Sequence, residues 1–154
     1  MPRLALTLAL FLPMSVAVAD ITGKPRVVDG DTLHINQTKI RLHGIDAPEM
    51  KQTCRTSKGE EQMCGQLAKQ ALERLIRGQD VVCKGDKRDR YKRLIAVCYV
   101  GPLNINKQMV VDGWAMAYRK YSKDYVMAET FANSRREGLW RGEFEPPWEW
   151  RKNR

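Results

Sequence analysis

Lys24-Pro25-Arg26-Val27-Val28-Asp29-Gly30-Asp31-Thr32-Leu33-His34-Ile35-Asn36-Gln37-Thr38-Lys39-Ile40-Arg41-Leu42-His43-Gly44-Ile45 is the stretch that decides how this chain folds. β-Branched and apolar residues alternate with polar ones, and Asp-Gly and Asn-Gln punctuate the run. It therefore predicts three strands, Lys24 to Asp29, Asp31 to Asn36 and Lys39 to Ile45. Downstream, Leu67, Ala68, Ala71, Leu72, Leu75 and Ile76 place one apolar stripe on a helix ending at Gly78. Strands return at Asp80 to Lys84 and Arg93 to Val100, with a charged loop, Gly85 to Lys92, between them. A short helix from Asn104 to Asp112 precedes Gly113, and a third runs from Tyr125 to Glu137 ahead of a Pro146-Pro147 tail bearing Trp148 and Trp150. Short strands interrupted by helices in a small basic chain predict an α+β architecture, a five-stranded Greek-key barrel of the OB type with about three α-helices.

Upstream of that stretch the chain changes character. Met1-Pro2-Arg3 is a basic start, Leu4 to Val16 is apolar, and Ala17-Val18-Ala19 has the small-x-small form of a leader-peptidase site. An apolar core of about 13 residues is short for a membrane span of roughly 20. The expectation is a signal peptide over residues 1–19, cleaved after Ala19. Residues 20–154 would then form one domain with a short C-terminal tail from about 143, secreted or periplasmic and without stable membrane association. The chain has 154 residues, 27 Lys and Arg against 18 Asp and Glu, and a net charge of +9. With 43% hydrophobic residues it can bury a core, which argues against a disordered chain, and the positive excess suits an anionic polymer as partner. A monomer is expected.

Export would place the four cysteines where disulfides persist. Cys54, Cys64, Cys83 and Cys98 lack the close pairs of a zinc ribbon. Of the three connectivities, Cys54–Cys64 with Cys83–Cys98 is expected, since the second pair lies in segments that read as neighbouring strands.

The chemistry gathers in two short segments, Asp29-Gly30-Asp31 and Arg41 to Glu49. Taken alone, Asp29 and Asp31 are turn residues and Asp46-Ala47-Pro48 ends a strand. If Ile40 and Leu42 point into a barrel, however, Arg41 points to the opposite face and Asp46 sits where its strand ends. Two carboxylates, a backbone carbonyl and water make a hard oxygen site suited to Ca²⁺, with Mg²⁺ or Mn²⁺ as competitors. Such a cation, a carboxylate and guanidinium forks together meet the needs of phosphodiester cleavage. His34 and His43 occupy alternating strand positions with no third ligand nearby and read as structural. Lys84, Lys87, Arg88 and Arg90 form a basic loop, either solvated or holding phosphates.

Val28-Asp29-Gly30-Asp31-Thr32, Arg41 with Asp46-Ala47-Pro48-Glu49, Asp89-Arg90-Tyr91-Lys92-Arg93 and Gly138-Leu139-Trp140 together resemble, in order and spacing, the staphylococcal nuclease (thermonuclease) family. The resemblance spans roughly Pro25 to Trp140. It implies a five-stranded OB barrel with three helices and a secreted, calcium-dependent nuclease that acts on DNA and/or RNA and leaves 3′-phosphate ends. It also implies that Asp31, Asp46 and the Ala47 carbonyl bind calcium, that Arg41, Glu49 and Arg93 form the catalytic set, and that Tyr91 and Tyr118 contact the nucleotide. In that scheme Glu49 orients or deprotonates the attacking water, Arg41 binds the scissile phosphate and Arg93 stabilises charge growing there. This chain departs from the family pattern with Ala47 in place of a frequent Thr, Lys92 in place of a frequent Gly, and Lys120 where a second tyrosine aligns. The alternative reading is a non-catalytic OB-fold nucleic-acid-binding module.

Overall fold

The alternating stretch becomes a meander at one side of a seven-stranded sheet. The computed structural model describes residues 20–154, and the leader expected at residues 1–19 lies outside them. β2 (Pro25–Asp29), β3 (Thr32–Ile35) and β4 (Thr38–Leu42) pair antiparallel, with Leu33 facing Ile40 and Ile35 facing Thr38. A two-residue connection joins the last pair, and Asn36 takes φ 53° there, a conformation asparagine tolerates better than most residues. β1 (Ile21–Gly23) lies instead on β8 (Val81–Arg88), β8 pairs with β9 (Leu94–Val100), and β9 runs parallel to β4. The order is β1-β8-β9-β4-β3-β2, with β10 (Leu103–Asn104) also on β9. The five long strands are the expected ones, but the sheet does not close. Its edges are β1 and β2, because the three residues of β1 all pair with β8.

Apolar residues alternate to one side of the sheet. Leu94, Ala96, Cys98 and Val100 of β9 are buried, as are Leu33, Ile35, Ile40 and Leu42 of the meander. α1 (Cys64–Ile76) closes over them with the stripe read from the sequence, since Ala68, Ala71, Leu72 and Ile76 are buried. It ends at Arg77, which takes φ 50° and donates its N–H to Glu73, one residue before the expected glycine. α2 (Ile105–Val111) starts on Asn104, whose side chain accepts the Lys107 N–H. Behind it, buried Asn106 donates to the carbonyls of His43 and Ala96 and accepts from the Cys98 N–H, which fastens α2 to β9 and to the turn after β4. α3 (Val126–Ser134), a 3-10 turn (Gly138–Arg141) and α4 (Pro147–Lys152) complete the chain.

Three expectations need correction. β8 runs on to Arg88 through a bulge between Lys84 and Lys87, so the first half of the expected charged loop is strand. The tail forms a fourth α-helix, opened by Pro147 at its first turn, where a missing N–H is harmless. Cys83 and Cys98 face each other across β8 and β9 and form a disulfide, whereas Cys54 and Cys64 are free buried thiols. Cys54 belongs to a small hairpin, β6 (Cys54–Arg55) with β7 (Glu61–Gln62), and Cys64 opens α1 just after it, so the two thiols lie in contact within one buried cluster without forming the second expected bridge. The Cys54 sulfur accepts from Gln62, while Cys64 Sγ donates to the Gln52 carbonyl. Among the described residues no helix is long and apolar enough to cross a membrane.

Candidate active site

The site is assembled where β3 begins, β4 ends and the chain returns through β5 (Ile45–Asp46). Register does the first part of the work. Thr32 faces Arg41 across the ladder, and the Leu42 N–H donates to the Asp31 carbonyl, so Asp31 starts β3 beside the guanidinium-bearing end of β4. Gly44, at φ 74°, then turns the chain sharply, and β5 pairs with β11 (Met116–Ala117), Asp46 opposite Met116. Gly30 allows the layers to meet, because a Cβ there would lie 2.7 Å from the Ala47 Cβ and 2.9 Å from the Ala68 Cβ.

Asp29 keeps the turn role read from sequence, accepting the Asp31 N–H at 3.0 Å. Asp31 points inward. One oxygen accepts the Ala47 N–H at 2.7 Å, and the other takes the Thr32 hydroxyl and lies 3.1 Å from Arg41 Nη1. Arg41 also donates to Asp46 Oδ1 at 2.9 Å and, from Nη1, to the Leu42 and Ile45 carbonyls at 3.2 and 3.0 Å. One guanidinium thus bridges two carboxylates that are nearly inaccessible, with side-chain exposures of 10% for Asp31 and 1% for Asp46. Burial, with repulsion from Asp31, pushes the Asp46 carboxyl up to about 6 although Arg41 and Arg151 oppose the shift. Burial and the Asp31 charge likewise push Asp29 up to about 7. This pocket therefore holds more negative charge than its surroundings accommodate easily, and a hard cation would relieve it. Among the described residues no cluster of three His, Cys, Asp or Glu side chains forms a complete metal cage, so backbone oxygen and water would have to complete the shell.

Glu49 lies on the turn after β5, and a buried residue fixes that turn. Gln52 accepts the Glu49 N–H through Oε1 at 3.1 Å and donates through Nε2 to the Glu145 carbonyl at 2.7 Å. Gly65 opens α1 against this turn, and a Cβ there would collide with the Glu49 carbonyl. The Glu49 carboxylate meets Asp46 through a third residue, Arg151 of α4. Arg151 Nη1 reaches both Asp46 Oδ1 (3.1 Å) and Glu49 Oε1 (2.8 Å), and Nη2 reaches Asp46 Oδ2 at 2.8 Å. Residues 39–142 match the sequence profile described as staphylococcal nuclease homologue.

The chain belongs to the staphylococcal nuclease family. A protein named micrococcal nuclease from Shigella flexneri is 37% identical over 169 aligned positions, covering 96% of this chain and 91% of its own. One named uncharacterized endonuclease from Escherichia coli is 34% identical and covers 88% of each chain. A second of that name from Haemophilus influenzae is 37% identical over 75% of this chain and 63% of its own. In this nuclease family member, the structure brings Asp31, Arg41, Asp46, Ala47 and Glu49 together and sets the other expected residues at the margins. Arg93 precedes β9 and is held by Asp89, Nε to Oδ2 at 2.7 Å, while Asp89 Oδ1 accepts the Tyr91 and Arg93 N–H groups. Lys92 takes φ 63° in that turn, a left-handed conformation in which a glycine would be unstrained. Tyr91 is 60% exposed, with the Arg90 and Arg93 guanidinium groups 4.8 and 5.4 Å from its ring centre. Tyr118 follows β11, beside the site, with its N–H on the Gly44 carbonyl and its ring parallel to Trp148.

Sequence reasoning missed Gln52, Gly65 and Arg151. Neither histidine joins the site. His34 meets Arg26 on the sheet surface, and His43 lies 4.0 Å from Asp124.

Proposed function

We propose that the protein is an exported, calcium-dependent nuclease that hydrolyses phosphodiester bonds of DNA and/or RNA and leaves 3′-phosphate ends. The observation that carries this reading is the convergence of Asp31, Asp46, Arg41 and Glu49 at one buried-to-exposed boundary. Two inaccessible carboxylates bridged by a cationic group fit a hard divalent ion held by Asp31, Asp46 and the Ala47 carbonyl. When bound, that ion supplies charge compensation at the non-bridging oxygens of the phosphate.

The chain's own residues do the rest. Arg41 is fixed by two backbone carbonyls and Asp46, so the N–H groups it does not spend on them are held in place to meet a phosphate. Glu49, on a turn pinned by Gln52, orients a water for in-line attack and accepts its proton at the carboxylate. Arg93, steadied by Asp89, meets the charge that grows on the phosphate and the leaving oxygen. Tyr91 and Tyr118 present rings on which any base can stack. The apolar leader and the Cys83–Cys98 disulfide support export, to the periplasm or the medium.

Replacing Glu49 by Gln separates an enzyme from a binding module. Cleavage of single-stranded DNA is expected to fall by about 10²- to 10⁴-fold. Binding, measured by fluorescence anisotropy, is expected to hold. Cleavage at the wild-type rate by the variant would defeat the assignment.

A further inference from the structure

One six-residue helix engages three groups to which the nuclease reading gives different tasks. Arg151 of α4 contacts both oxygens of Asp46, at 3.1 and 2.8 Å, and Oε1 of Glu49, at 2.8 Å. Since Arg41 also donates to Asp46 Oδ1, that oxygen has both acceptor positions filled and Oδ2 one of its two, and a cation approaching either meets the Arg151 charge while Arg151 stays. Trp148, one turn earlier, lies parallel to Tyr118, at 6° between planes and 5.6 Å between ring centres, against a hollow of about 310 Å³ lined also by Lys120 and Lys152. The metal carboxylate, the attacking-water carboxylate and the base-stacking ring are therefore engaged from the same short element.

The root of α4 is held by backbone hydrogen bonds and its body by side chains. Arg55 and Glu143 exchange two backbone hydrogen bonds, and Gln52 holds the Glu145 carbonyl, up to the Pro146-Pro147 junction. Beyond that junction only Pro147 is buried, and the Arg151 side chain is 37% exposed. A helix this short has little stability of its own, so its hold on the domain rests mainly on the Arg151 pairs and the Trp148 stack.

We propose that α4 is an autoinhibitory strap. Its Arg151 guanidinium stands in for the divalent cation, its Trp148 covers the nucleotide-stacking face of Tyr118, and a cation at Asp46 or a base on Tyr118 must displace it in order to bind. This rests on the calcium-dependent reading above. The strap then sets the cation concentration at which cleavage begins, because a site open only part of the time binds with an affinity reduced by that fraction.

The test is calorimetric titration of Ca²⁺ into residues 20–154 without nucleic acid, comparing wild type with Arg151→Gln and with Trp148→Ala, and hydrogen exchange over residues 147–152. Arg151→Gln is expected to bind Ca²⁺ about tenfold more tightly, as for a strap closed roughly nine-tenths of the time. Trp148→Ala, which leaves Asp46 untouched, should shift affinity in the same direction by less. Amides of α4 in the wild type should exchange faster with Ca²⁺ than with chelator, and Arg151→Gln should cleave faster at limiting Ca²⁺. Equal Ca²⁺ affinities with cleavage intact would overturn the strap alone. Slower cleavage by Arg151→Gln at every Ca²⁺ concentration would overturn it in favour of a phosphate-binding arginine. No Ca²⁺ binding by any of the three would overturn both the strap and the reading beneath it.

Discussion

Asp29 and Asp31 flank one glycine and do different work. Asp29 closes a turn, and burial with the Asp31 charge pushes its carboxyl from 3.8 to about 7. The folded state thus binds that proton more tightly than the unfolded chain. The associated stability is complete below pH ~4 and is lost as pH rises through about 7. Asp29→Asn keeps the acceptor for the Asp31 N–H but cannot ionise. Thermal denaturation in chelator should therefore show its melting temperature gaining on wild type between pH 4 and about 7 and levelling off above, and a constant offset would refute the burial argument. Gln52 shows the opposite case, a residue with no signature that fixes one with a strong signature. Gln52→Ala removes the bond to the Glu49 N–H and the tie to Glu145. It should lower kcat more than it raises KM, read from steady-state cleavage. Arg41 and Asp46 were legible from strand faces within one short stretch, and the roles of Asp31 and Glu49 from the resemblance its motifs carry. Arg151 was not, because it meets Asp46 across 105 positions of sequence and no periodicity records such a contact.

Elements were legible where burial has a period. The meander, α1 and β9 carry their apolar residues at strand or helix spacing, and the structure places them as the spacing implies. β8 misled because Lys84, Asp86, Lys87 and Arg88 suggest loop, whereas the ladder to β9 holds them extended with their charges in solvent. α4 hid behind two prolines and too few residues to show a repeat. Asn106 joins elements rather than lying within one, and Asn106→Ala would take the Asn106 partner from the His43 carbonyl and the Cys98 N–H, while the Ala96 carbonyl keeps the His43 N–H. Chemical denaturation should show a loss of about 1–3 kcal/mol for each group left unsatisfied and buried, so a loss below ~1 kcal/mol would contradict the bracing role. Paired Cys83→Ser and Cys98→Ser substitutions release a 15-residue loop and should cost about 3 kcal/mol.

At the scale of the whole molecule, an excess of positive charge surrounds a pocket of negative charge. Lys84, Lys87, Arg88, Arg90 and Lys92 line β8 and its turn near Arg93, while Asp29, Asp31, Asp46 and Glu49 gather at the far end of β4. The first set can hold a polyanion without regard to sequence, and binding by Glu49→Gln should weaken linearly on a log–log plot against salt. The barrel expected from the family resemblance appears as an open sheet, with β1 paired to β8 at one edge. The most direct test of the central claim is cleavage of single-stranded DNA by residues 20–154 in Ca²⁺, in Mg²⁺ and in chelator, with end-group analysis of the products. The account predicts cleavage in Ca²⁺, none in chelator, and 3′-phosphate ends. Intact DNA under every metal, or equal cleavage in chelator, would contradict it.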